Sequence, residues 1–316
     1  MNIKLELPES FFQGEELCGY YVSPKMKKVR AVQLDLLNEF ARVCSKHNIR
    51  WWMDAGTLLG AVRHKGFIPW DYDADVMIMR RDYERLCSIA PDEFQYPYSF
   101  LADRALFINE DTTQLSHSQQ RSLAAGFHVH SESAIHIDVF PIDKIPDDER
   151  QTRRLVRKMK IYSYIDGKAR ALTSEYVPSP HLRKRPIKAL LHFVLTHIPL
   201  NYGYFREKYR AAAQTYNGIE SEHVAKLCMA WSPNFMGRRV WKQSYFDGTT
   251  YFPFEMLTLP APSGWEDVLN TFYGDWHKFV IRKIDGIVEP ETYFYDPEHS
   301  YKYYTQEGHP INEDEA

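Results

Sequence analysis

The chain is poor in the features that mark secreted, fibrous or membrane-embedded proteins. Its 316 residues include four cysteines, Cys18, Cys44, Cys87 and Cys228. They form no CxxC pair and have no histidines at zinc spacing, so they read as reduced, mostly buried thiols rather than a disulfide framework or a zinc site. The opening stretch MNIKLELPESFF lacks a basic segment followed by an apolar one, so no secretory signal is expected and the cytoplasm is the expected compartment. The most apolar run, Ile187 to Leu200, carries Lys188, His192 and His197, too short and too polar to span a bilayer. No repeat or low-complexity tract is present. Neither sign of charge dominates: 39 Lys and Arg against 42 Asp and Glu leave a net charge of -3, which argues against a nucleic-acid partner for the whole protein. What remains is 44% hydrophobic, 15% aromatic and 26% charged, the composition of a soluble globular chain with one large domain or two modest ones.

The small net charge hides an asymmetry. Arg150 to Leu190 holds twelve Lys and Arg against Asp166 and Glu175, a local charge of +10, leaving -13 elsewhere. Two readings stay open: a surface facing anionic material, including peripheral membrane contact through residues 150–190, or helices with a solvated basic face. The chain divides accordingly into a core over 1–145, a basic helical segment over 146–220, a C-terminal part over 221–304 and a flexible acidic tail over 305–316.

Hydrophobic spacing orders the elements. Pro24 opens a helix whose Val29, Val32, Leu36, Phe40 and Val43 form one buried stripe. Ile49 to Met53 reads as a strand, Gly56 as the turn into a short helix, and Asp71 to Met79 as a strand whose period of two sets Asp71, Asp73 and Asp75 on one face. A second acidic strand is predicted over Ala134 to Phe140, closed by Pro141, then helices over Asp147 to Ala171, from Pro186, and over Tyr204 to Tyr216. The order implies an α/β or α+β fold with a small sheet.

Three aspartates in alternation require something positive nearby, since like charges at such spacing repel. A hard dication, Mg²⁺ or Mn²⁺, answers this by taking one or two carboxylates and leaving its other positions to water and phosphate oxygens. Asp138, between Ile137 and Val139 on the second strand, is a candidate fourth ligand. Gly56 and Thr57 stand where backbone can approach a phosphate, and Arg63, His64 and Lys65 can neutralise phosphate charge. The plain alternatives are an edge strand facing solvent, a carboxylate serving as a cap, and an ordinary strand-to-helix turn.

The stretch DAGTLLGAVRHKGFIPWDYDADVMIMRRDYERL resembles the signature of the LicD family, the phosphocholine transferases of bacterial surface glycans, to which fukutin-related proteins are also similar. HIDVFPID resembles the family's second block, and YFPFEMLTLPAPSGWEDVLNTFYGDW its C-terminal block. The resemblance implies a nucleotidyltransferase-like core with a small mixed sheet, a helical insertion and a C-terminal extension. It also implies metal-dependent transfer of a phosphoalcohol from a CDP-linked donor, CDP-choline favoured, to a sugar hydroxyl of a cell-surface glycan or lipopolysaccharide, releasing CMP. The metal role falls on Asp71, Asp73, Asp75 and Asp138, and Gly56 and Thr57 lie at the donor phosphates. Tyr72 departs from the family pattern, which leaves the donor open.

In this scheme Asp71 or Asp138 orients or deprotonates the acceptor hydroxyl, while Arg63 and Lys65 steady the phosphates. Trp51, Trp52, Trp70 and Tyr72 are candidates for an aromatic cage around a quaternary ammonium, or for core packing. Glu255 and Asp275 are expected near the core, Glu255 behind the site. The rival enzymes are a nucleotidyltransferase moving NMP onto a small molecule or protein, and a metal-dependent glycosyltransferase with a DxD pair. The rival of another class is a non-catalytic, metal-stabilised glycan-binding scaffold.

Overall fold

The computed structural model describes residues 1–116, 119–120, 133–172, 203–281, 283–284 and 287–305. The elements used below are, in chain order, β1 (Glu15–Leu17), β2 (Tyr20–Val22), α1 (Pro24–Lys46), β3 (Trp51–Met53), α2 (Ala55–His64), β4 (Asp75–Met79), α3 (Arg80–Glu93), β5 (Tyr98–Leu101), β6 (Leu106–Asn109), β7 (Thr113–Leu115) and β8 (Ile135–Lys144). They continue with α4 (Glu149–Leu172), α5 (Tyr204–Gln214), β9 (His223–Ala225), α6 (Phe235–Arg238), β10 (Val240–Lys242), β11 (Thr249–Phe254), β12 (Leu257–Pro262) and α7 (Trp265–Tyr273). The last are β13 (Lys283–Ile284), β14 (Ile287–Val288), β15 (Phe294–Asp296) and α8 (Tyr301–Thr305). This is a mixed α/β chain, as the element order implied. It forms two compact units, one from residues 1–141 and 244–316, the other from 142–243.

In the first unit the sheet runs β5-β6-β8-β4-β3, with β3 antiparallel to β4 and β6 antiparallel to both β5 and β8. The hairpin β11-β12 packs on β3, and β15 pairs with β7. Helix α1 begins where expected: Ser23 Oγ accepts the Met26 N–H at 3.1 Å and Pro24 occupies the first turn, where its missing N–H is harmless. Its predicted stripe, Val29 to Val43, is fully buried. Burial goes beyond one stripe, however, because Arg30, Ala31, Gln33, Leu34, Asp35 and Leu37 are also enclosed. Asp35 is satisfied there by the Lys4 and Leu5 amides and the Tyr98 hydroxyl. Polar residues on the far side of α1 therefore hold backbone rather than face water.

Three expectations need correction. Asp71 to Ala74 is extended but unpaired chain, and only Asp75 opens β4, so the three aspartates do not alternate along one strand. Strand β8 passes through Pro141 to Lys144 instead of stopping there. Gly56 is the second residue of α2 and not a turn. Of the thiols, Cys44 alone is buried, and Cys18 is exposed.

In the second unit, Leu155, Val156 and Met159 of α4 pack against Ala212 and Ala213 of α5 and against Leu227 and Phe235. The residues Ile142 to Lys144 of β8 pair with β9, which pairs with β10. Arg150, Arg153, Arg154, Arg157, Lys158 and Lys160 are exposed on α4, so this half of the basic segment is the wet face of an amphipathic helix. The helix expected from Pro186 and the acidic tail after residue 305 lie outside the described residues. No helix among the described residues is long and apolar enough to cross a membrane.

Candidate active site

Two separate acidic stretches meet in the first unit. The Asp138 N–H donates to the carbonyl of Ala74, the residue between Asp73 and Asp75, at 2.9 Å. Ile137 and Val139 are fully buried on one face of β8, so the period of two sends Asp138 to the other, partly open face. Asp75 is held from the opposite side. Its N–H donates to Thr57 Oγ1 at 2.7 Å, and its carbonyl accepts the Asp54 N–H at 3.0 Å. The first turn of α2 thus fixes the start of β4.

The electrostatics follow from this crowding. The Asp73 carboxyl is pushed well above the usual carboxylate range, first by burial, then by Asp71, Asp75 and Asp138, and by a hydrogen bond with Asp71. Four carboxylates therefore share one cleft, and with no cation at hand the pocket keeps a proton on Asp73. The chain as a whole leaves these residues partly accessible, so the acidic cluster lines an opening rather than a sealed core. Among the described residues no group of three or more His, Cys, Asp or Glu side chains stands as a ready-made metal cage. A hard dication that takes one or two carboxylates and keeps its other positions for water and phosphate needs no such cage, and the all-oxygen donor set with unrelieved repulsion fits it.

Several residues that the sequence did not single out build the support. Arg30 is buried, and its Nη2 donates to the carbonyls of Ile68 at 3.0 Å, Pro69 at 2.9 Å and Asp71 at 3.4 Å. One turn on, Gln33 Nε2 donates to the Tyr72 carbonyl at 2.8 Å. Helix α1 therefore grips the backbone that carries Asp71 and Asp73. Burial pulls the Arg30 guanidinium down, and Glu255 and Asp71 are the largest charges holding it ionised. Glu255, in the β11-β12 turn, accepts the Phe67 N–H at 3.2 Å, and its own N–H donates to the Lys65 carbonyl at 2.7 Å. A Cβ on Gly66 would collide with its carboxylate. Glu255 thus stands behind the site, as expected, and clamps the 65–67 loop. Asp54 caps α2 through the Ala55 N–H at 2.8 Å. Tyr273, at the end of α7, has a phenol pushed well above its ordinary range by burial and by Asp71, Asp75, Asp54 and Asp73. Since 37% of the residue's surface is exposed, its ring edge is open while its hydroxyl faces the acids. A buried arginine in a hydrophobic stripe was the one signal that sequence reading had to hand for this support.

The residues expected at the phosphates are spread along α2. A Cβ on Gly56 would collide with Asp71 Oδ2, so the glycine admits a carboxylate as well as any ligand. Thr57 is buried, engaged with Asp75. Arg63 Nη1 donates to the carbonyls of Trp276 at 2.9 Å and Lys278 at 3.1 Å, and its guanidinium lies 4.7 Å from the Phe279 ring. Burial lowers it, while Tyr273, Cys18 and Asp71 draw it back up. Lys65 is exposed beyond the opposite end of α2 in the left-handed conformation, φ 59°. His64 stacks on Phe279 at 5.6 Å, meets Trp70 edge-on, and is held down to about 4 by burial and by Arg63 and Arg30. Its Nε2 is buried and lacks a hydrogen-bond partner.

The aromatic candidates separate cleanly. Trp51, Trp52 and Trp70 are core residues: Trp51 packs on Phe40, Trp52 Nε1 donates to Thr249 Oγ1, and Trp70 Nε1 donates to the Val280 carbonyl. The cage expectation fails for these three because their rings are enclosed. Tyr72 remains partly open, stacked on Tyr293 at 4.7 Å and 27°. Asp275 is also corrected: it is exposed and paired with Lys278 at 3.2 Å.

A fold that brings four carboxylates beside the first turn of a helix defines a class of phosphate-handling enzyme, and the comparisons agree. Residues 48–164 match the family described as LicD/FKTN/FKRP, nucleotidyltransferase domain, and this stretch is a LicD-family domain. The chain is similar to the lipopolysaccharide cholinephosphotransferase LicD of Haemophilus influenzae, 25% identical over 264 residues that cover 80% of this chain and 91% of the relative. It is similar as well to the ribitol 5-phosphate transferase FKRP of Homo sapiens, 45% identical over 53 residues, 16% of this chain and 11% of that one. These relatives are phosphotransferases by name.

Proposed function

We propose that the chain is a metal-dependent transferase that moves a phosphoalcohol, phosphocholine in the favoured case, from a CDP-linked donor to a sugar hydroxyl of a surface glycan or lipopolysaccharide, releasing CMP. The observation that carries this reading is the Asp138 amide bound to the Ala74 carbonyl, which brings acids from two stretches together. The two relatives, one acting on choline phosphate and one on ribitol phosphate, supply the substrate class.

Asp73 and Asp75, with Asp71 and Asp138 beside them, are the groups to hold Mg²⁺ or Mn²⁺. When bound, the ion offsets negative charge on the donor pyrophosphate and the departing CMP. The chain's own residues do the rest. Asp71 or Asp138 orients the acceptor hydroxyl and takes its proton as the oxygen–phosphorus bond forms and the bond to the CMP oxygen breaks. Arg63, within the field of Asp71, steadies phosphate charge. Gly56 keeps the start of α2 slim enough for Asp71 to approach. Tyr72 with Tyr293 offers an aromatic face for a quaternary ammonium.

The deciding experiment incubates the purified protein with CDP-choline, CDP-ribitol, CDP-glycerol and CDP-ethanolamine in turn, with and without Mg²⁺. Metal-dependent release of CMP is the expected result. Release of pyrophosphate from a nucleoside triphosphate instead would assign nucleotidyl transfer, and no binding of any CDP-alcohol in calorimetry would leave a scaffold.

A further inference from the structure

A cavity of about 460 Å³ lies in the first unit between the start of α1 and β15, outside the acidic cluster. It is bordered by Lys25, Lys28, Phe294, Tyr295, Glu298 and His299. A second cavity of about 470 Å³ shares Glu298 and His299 with it and continues toward Asn2 and Tyr96, so the two make one trough. Each volume falls in the range of small-molecule sites. The trough is joined to the acidic cluster by stacked rings: Tyr295 lies 6.0 Å from Tyr293, and Tyr293 lies 4.7 Å from Tyr72, which stands between Asp71 and Asp73.

Charge decides what such a trough suits. Its lysines are offset by Asp296 and Glu298, with Lys28 paired to Glu298, so there is no positive surplus for a phosphate. Lys25 Nζ lies 5.3 Å over the Phe294 ring, which denies that face to a quaternary ammonium. Asp296 is already engaged, accepting from the Glu298 and His299 amides at 2.8 and 3.1 Å. What remains is an aromatic wall with donors and acceptors of both kinds on its rim. A sugar ring presents the matching chemistry, a C–H face and hydroxyls that both donate and accept. The length of the joined cavities suits more than one ring.

We propose that this trough is the acceptor-glycan subsite, delivering a sugar hydroxyl along the Tyr295, Tyr293 and Tyr72 stack to the acidic cluster; this rests on the phosphoalcohol-transfer reading above. The test passes the full chain over immobilised core oligosaccharides from bacterial lipopolysaccharide and measures affinity without donor. Wild type is expected to bind at least one of them, and the double variant K25A/H299A to bind at least tenfold more weakly, with millimolar inorganic phosphate and free phosphocholine failing to displace the glycan. Should that variant not fold, K28A/E298A on the exposed rim gives the same readout. Wild type retained by no glycan, variants binding as wild type, or displacement by phosphate would overturn the subsite. Metal-dependent CMP release from CDP-choline is measured on the same preparation. Glycan binding without CMP release counts against the transferase reading alone, and CMP release without glycan binding counts against the trough alone.

Discussion

The carboxylates of Asp71, Asp73, Asp75 and Asp138 repel one another in a cleft that burial makes less tolerant of charge, and Asp73 carries the largest consequence. Removing one charge from such a cluster relieves repulsion while removing a phosphate-side anchor. Asp73→Asn and Asp75→Asn are therefore expected to lower kcat by about 10³-fold or more with no loss in melting temperature. Full activity in Asp75→Asn, measured as CMP release, would end the proposal. Gly56 makes a sharper case, because Gly to Ala inside a helix ordinarily stabilises by about 1 kcal/mol. Here the new methyl meets Asp71, so Gly56→Ala is expected to gain no stability and to lose activity at least tenfold. His64 gives a pH effect with a definite sign. Its folded value, about 4, lies below the unfolded 6.5, so the unfolded chain binds more protons between those values. Stability is fully present above pH 6.5 and falls as pH drops toward 4. His64→Phe, compatible with the Phe279 and Trp70 rings, should flatten the melting temperature across that window.

At the level of elements, α1 is the member whose role was least legible. Its apolar spacing is plain, but the same period leaves Arg30 and Gln33 to be read as solvent-facing. The structure buries both and spends them on carbonyls of residues 68 to 72. A buried guanidinium costs energy unless paired, and Glu255 and Asp71 supply the pairing. Arg30→Met is expected to destabilise by about 3 kcal/mol or more in denaturant unfolding, since it leaves Glu255 and several carbonyls unsatisfied. Arg30→Lys should recover part of the stability but less of kcat, because an ammonium cannot span the same carbonyl fork. The strand expected over Asp71 to Met79 was shortened for a related reason. Ala74 and Asp75 hydrogen-bond to β8, α2 and the end of β3, while Asp71 and Asp73 hang from a segment held by α1.

For the whole molecule, the acidic cluster belongs entirely to the unit made of residues 1–141 and 244–316, whose pieces are far apart in the chain. A dication that binds only the folded cluster stabilises that unit by mass action, about 2.7 kcal/mol at a hundred times its dissociation constant. Added Mg²⁺ should slow amide exchange around residues 71–75 and 138 and leave α4 unchanged, and the double variant D73N/D75N should abolish the effect. Uniform protection of α4 as well, or persistence of the effect in the double variant, would place the ion elsewhere.

The residue types alone determined the chemistry on offer. Asp71, Asp73, Asp75 and Asp138 needed no coordinates to be seen as hard oxygen donors, nor did the stripe of α1 or the wet basic face of α4, because periodicity and charge are local properties. What belonged to tertiary structure was which distant groups share a dielectric. The Asp138 amide on Ala74, the Glu255 clamp on the 65–67 loop, the enclosure of Trp51, Trp52 and Trp70, and the placing of Tyr273 among the acids all join residues across long separations. Such encounters are set by how sheet, hairpin and helix pack, and no spacing along the chain records them.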